Sequence, residues 1–69
     1  MQWNNKCLNV WLGGTKHNSH FYNCRVTDTG GGVVLIIQKD GDIVLRETYQ
    51  STVDEVKALA ETWILSQLN

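Results

Sequence analysis

Apolar and polar residues alternate with period two over most of the first fifty positions, and then the period changes to that of a helix. In Cys7-Leu8-Asn9-Val10-Trp11-Leu12, the residues Leu8, Val10 and Leu12 share one side, the pattern of a half-buried strand. Trp3 lies just ahead of it and reads as an extension of the same strand. Gly13-Gly14-Thr15-Lys16-His17-Asn18-Ser19 reads as a polar, glycine-led loop. Residues 20–27 alternate again, with Tyr22, Cys24 and Val26 facing one way and Phe21, Asn23, Arg25 and Thr27 the other.

Asp28-Thr29-Gly30-Gly31-Gly32 reads as a turn, since three successive glycines favour neither helix nor strand. Residues 33–37 form a continuous apolar run of high β propensity. Such a strand is expected in the middle of a sheet, covered on both faces. Asp40-Gly41 is a strong hairpin signal between two β-rich runs, and a fourth strand is expected over 42–49. From Val53 the apolar positions become Val56, Leu59, Ala60, Trp63 and Ile64, one helical stripe. Thr52 with Glu55 three residues on has the form of a capping box, and the helix is expected to run to about residue 67.

The expected architecture is therefore α+β in two layers: a four-stranded antiparallel sheet, order β-β-β-β-α, with one C-terminal helix on one face. The whole chain, 1–69, is read as a single domain. One helix covers one face only, so the other meets water or a partner. If Leu8, Val10, Leu12, Tyr22, Cys24 and Val26 face the helix, pairing Val10 with Tyr22 sets Trp11 opposite Phe21 on the uncovered face. Arg25 joins them, and Val44 with Arg46 is one of two choices from the last strand. Such a patch marks an interaction surface. The candidate partner-binding residues are Trp11, Phe21, Arg25 and Arg46.

Composition narrows the function classes. Counting glycine, nearly half the residues are apolar, which disfavours disorder. No run approaches the length of a membrane helix. The first residues lack the basic-then-apolar layout of a secretory signal, and a cytoplasmic location is expected. The net charge of −1 hides an asymmetry. Lys6, Lys16, Arg25 and Lys39 oppose only Asp28 up to residue 39; beyond it, Arg46 and Lys57 oppose Asp40, Asp42, Glu47, Asp54, Glu55 and Glu61.

Candidate chemistry is sparse. Cys7, His17, His20 and Cys24 are zinc-type ligands, but their spacing is unpaired and the strand pattern sends the two cysteines to opposite faces. The three glycines lead into a strand, whereas a phosphate loop leads into a helix N-terminus. No nucleophile elbow or Cys-His-Asn arrangement is present. No enzymatic activity, metal or cofactor is expected.

Residues 43–64, a strand followed by Tyr49-Gln50-Ser51-Thr52-Val53-Asp54-Glu55-Val56 and a helix, resemble small antitoxin-type domains in which a three-stranded sheet feeds a capped helix. The β-β-β-β-α order resembles some dimeric single-stranded-DNA-binding transcription cofactors, whose basic motifs have no counterpart here. These readings lead to a small non-catalytic regulator or inhibitor that uses its open sheet face for a homodimer or a protein partner. The alternative is a single-stranded nucleic-acid module using Trp11, Phe21 and Arg25, which six Lys and Arg in all support poorly.

Overall fold

The computed structural model describes residues 1–68. Its elements are β1 (Gln2–Cys7), β2 (Val10–His17), β3 (His20–Asp28), β4 (Val33–Lys39), β5 (Asp42–Tyr49) and α1 (Val53–Leu65). The strands form one antiparallel sheet in the order β1-β2-β3-β4-β5. The sheet thus has five strands, not the four expected, while the α+β class stands. The N-terminal residues are not an extension of the second strand but a strand of their own.

The difference arises at two turns. Between β1 and β2 the Asn5 side-chain amide donates to the carbonyls of Cys7 and Val10, closing a turn in which Leu8 is 94% exposed. Leu8 therefore does not face the helix, and the stretch 7–12 is divided between a turn and a strand. Between β2 and β3, Asn18 (φ 51°) and Ser19 (φ 68°) alone make the connection. Two successive left-handed residues are the type I′ geometry, which matches the twist of the flanking strands. Gly13 to His17 are consequently strand, not loop. Gly13 pairs with Trp3, and a Cβ there would sit 3.0 Å from the indole ring and 2.8 Å from Met1 Sδ. The aromatic ring takes the space that a side chain at Gly13 would fill.

The core lies between α1 and the two strands β3 and β4. Tyr22, Cys24 and Val26 alternate with exposed neighbours on β3, as do Val33, Leu35 and Ile37 with half-buried ones on β4. Val56, Ala60 and Ile64 of α1 close over them. Residues 33–37 are accordingly covered by a helix on one side only. The helix begins as its sequence predicts: Thr52 Oγ1 accepts from the Glu55 backbone N–H at 3.2 Å, and Glu55 accepts from the Thr52 N–H at 3.1 Å. The helix ends at Leu65 with Ser66 as its C-cap, two residues short of the expected end.

Tyr22 is wholly buried and meets Trp63 edge-on, with ring centroids 6.4 Å apart. Its hydroxyl has no hydrogen-bond partner among the described residues. Removing an unsatisfied buried polar atom while keeping the ring relieves a desolvation cost. Tyr22→Phe is therefore expected to leave stability unchanged or raise it by up to about 1 kcal/mol, read as the urea midpoint. A drop of that size would show that the hydroxyl is satisfied.

Candidate functional site: the open face of the sheet

The face opposite α1 is built by strand register. Residues paired across neighbouring strands share a face, and one lateral row runs Asn4–Leu12–Arg25–Ile36–Arg46 through all five strands. A second row runs Gln2–Gly14–Asn23–Gln38–Ile43. Val10, Thr27, Val34 and Thr48 form a third, and Lys16 with Phe21 a fourth. Ile43 joins this face because β5 bulges between Ile43 and Leu45: Ile37 pairs with Leu45, but Gln38 pairs with Ile43, leaving Val44 as the extra residue. Of the two choices left open for the last strand, the bulge puts Ile43 and Arg46 together.

The middle of the face is a shallow groove of about 510 Å³, floored by Gly14 and flanked by Leu12, Asn23, Arg25, Ile36 and Ile43. Its chemistry differs from that of the rest of the surface in two ways. Among the described residues, the open face carries the cations Lys16, Arg25 and Arg46 and no side-chain carboxylate within its rows. Glu47 lies on the helix side of the sheet, Asp54, Glu55 and Glu61 on α1, and Asp28, Asp40 and Asp42 at strand ends. The open face thus holds three of the six Lys and Arg, while Lys39 and Lys57 lie on the helix side with most of the acidic residues. Its polar side chains are also uncommitted. Among the described residues, none of Asn4, Asn23, Arg25, Gln38 and Arg46 has a side-chain hydrogen-bond or ion-pair partner. In the loops and on the helix side, by contrast, Asn5, Asn9, Asn18, His20, Gln50 and Glu61 all bond within the chain.

Phe21, Arg25 and Arg46 therefore lie on the open face. Trp11 does not. The Asn18–Ser19 turn pairs it with Val26, on the helix side, and pairs Phe21 with Lys16. A shorter connection than expected slides the register and changes which face Trp11 occupies. There it packs half-buried against the core, with Lys57 Nζ 5.2 Å from its ring centroid. The same ammonium lies 5.8 Å from the Trp3 ring, and the Trp3 indole N–H donates to Glu61 Oε2 at 2.8 Å. Lys57 and Glu61, one turn apart, thus hold β1 and β2 to the helix. The period of the helix placed both outside its apolar stripe; only the position of Trp3 reveals their contacts.

Other chemistry-bearing residues are dispersed. Cys7 is exposed and Cys24 buried, and burial, helped by the negative charge of Glu61, pushes the Cys24 thiol up to about 11. No group of three or more His, Cys, Asp or Glu side chains among the described residues could hold a metal. The three-glycine turn comes to lie beside the start of α1, but Asp28 and Glu55 line that space and the capping box already engages the Glu55 backbone N–H. No described helix is long and apolar enough to cross a membrane. The chain matches no known protein-family model, no curated protein and no solved structure.

One polar cluster borders the open face. Asp40, at φ 51° in the Asp40-Gly41 turn, accepts from the Phe21 backbone N–H at 2.9 Å and from His20 Nδ1 at 2.6 Å. The Phe21 amide first, and then His20, hold its carboxyl below the ordinary carboxylate range. The capping box does the same to Glu55. A carboxylate whose folded pKa is depressed stabilises the fold above its unfolded value and ceases to do so as pH falls through the folded one. The stability of the wild type is expected to fall with acidification from the usual carboxylate range downward. In Asp40→Asn, which keeps a residue tolerant of the left-handed turn, that fall should be shallower. Urea midpoints from pH 6 to pH 2 test it, and identical slopes would refute the assignment.

Proposed function

We propose that this chain is a non-catalytic binding module that docks a protein partner on the open face of its sheet. The observation that carries the reading is the row Leu12–Arg25–Ile36–Arg46, in which apolar and cationic side chains alternate across four strands with no helix over them. Ile43 is 55% and Phe21 49% exposed on the same side. Clustered apolar exposure rimmed by polar groups is the signature of interaction surfaces.

Charge bears on the kind of partner. Two copies packed face to face would set Arg25, Arg46 and Lys16 of one against the same residues of the other, and like charges across an interface cost several kcal/mol. The face thus favours a partner of opposite sign over a homodimer. The separation of charge also favours a regulator that acts by covering an acidic surface. Single-stranded nucleic acid shares the negative charge, but with Trp11 on the helix side only Phe21 offers a stacking platform.

The test is cross-linked capture from source lysate with three surface variants. Arg25→Glu and Arg46→Glu, on the open face, are each expected to weaken capture of the same protein by about tenfold or more. Leu59→Asp, on the exposed side of α1, is expected to capture it as the wild type does. The opposite pattern would move the docking surface to the helix. Light scattering on the free chain reads self-association directly; a dimer lost in Arg25→Glu would replace the partner with a second copy.

A further inference from the structure

We infer that the depression at Gly14 is the anchor point of the open face and that it receives an acidic side chain, an aspartate or glutamate carried on an apolar-flanked segment of the partner. This rests on the open face being the docking surface. Three observations carry it.

The first is the missing side chain. Gly14 sits mid-strand between Gln2 and Asn23 in the second row, and its backbone does not need glycine, since the positive φ values belong to Gly30 and Gly41. A Cβ at Gly14 would lie 3.3 Å from Asn23 Oδ1 and 3.4 Å from Phe21 Cζ. Glycine at this position lines the groove and lets the Asn23 and Phe21 side chains close over the strand backbone. Within strands, such a glycine commonly marks a close approach by another molecule.

The second is the donor set. Arg25, Asn4, Asn23 and Gln38 border the depression, and none of their side chains is engaged by another described residue. A guanidinium with amide donors around it matches a carboxylate, which takes two parallel N–H bonds from arginine.

The third is the apolar wall. Leu12, Ile36 and Ile43 line the same depression, so an entering carboxylate exchanges water for fixed donors in a partly dry site, where charge-assisted bonds gain strength. Leucine or isoleucine beside the acid on the partner would cover these walls. The edges of the sheet suit a face-on occupant better than an added strand. Both edge strands carry a register shift, after Asn5 on β1 and opposite Ile37–Gln38 on β5, and bulges discourage strand pairing.

The experiment uses the full chain and a fluorescein-labelled eight-residue peptide of alternating leucine and glutamate, with a glutamine-for-glutamate counterpart. Anisotropy is expected to show the glutamate peptide binding about tenfold or more tightly than the counterpart. Backbone amide shifts should be centred on Gly14, Asn23 and Arg25. Arg25→Gln, a change at an exposed side chain, should remove the discrimination. Gly14→Val, which fills the floor without altering charge, should weaken the glutamate peptide by about tenfold, with an unchanged thermal melt showing that the fold is kept. Should that variant unfold, Arg25→Gln decides alone. Equal affinity for both peptides, binding to neither, or Arg25→Gln binding as the wild type does would overturn the inference. Oligodeoxythymidine displacing the glutamate peptide and binding more tightly would overturn it in favour of nucleic acid. If the peptide fails while Arg25→Glu still abolishes cellular capture, the anchor falls and the docking face stands; if both fail, both fall.

Discussion

A single 13-residue helix must serve a five-stranded sheet, and this mismatch of area governs the rest of the molecule. A helix is about 10 Å across with its side chains, and strands lie about 4.8 Å apart, so α1 covers roughly two of them. It covers β3 and β4, where every helix-side residue from Tyr22 to Val26 and from Val33 to Ile37 is buried. Everything else on the sheet needs another form of cover or is left open.

The strands on either side of this core are treated differently. Toward β1 and β2 the cover is made of large side chains: Trp3 lies over Gly13, its N–H bonds Glu61, and Lys57 rests against both Trp3 and Trp11. Two charged residues of an otherwise solvated helix surface thereby become structural. Toward β5 the cover is thinner, with Leu45 and Tyr49 half-buried against the core and the rest of the strand exposed. The Trp11 indole, expected on the open side, is committed together with Trp3 to this enlargement of the core.

The consequence for function is a face defined by what it lacks. Among the described residues its rows hold no side-chain carboxylate and few internal bonds, no helix lies over it, and its side chains alternate between aliphatic and cationic or amide character. Acidic residues gather on the helix side and at the strand ends. Such polarity does little for stability, because exposed charges are screened. It does orient an approaching molecule and select its sign. On the reading proposed above, the open face serves recognition, with its charge setting the sign of the partner.

Local pattern alone determined a good deal. The alternation of Tyr22, Cys24 and Val26, the Asp40-Gly41 hairpin, the last strand over 42–49 and the capping box at Thr52 and Glu55 could all be read from neighbouring residues, because each depends on backbone geometry within a few positions. Phe21 and Arg25 were placed together on one face for the same reason, whereas Arg46 was one of two choices that only the β4–β5 register decided. The first strand could not be read, because Gln2–Cys7 has little alternation of its own and is a strand by virtue of pairing with β2. Nor could the face of Trp11. Period two states only that neighbours point opposite ways; which way is set by register, and register here depends on a turn of two residues rather than seven. The contacts of Lys57 and Glu61, the bulge that turns Ile43 outward and the depression at Gly14 share that origin. Each is a relation between residues on different strands, or between strand and helix, and tertiary structure alone brings them together.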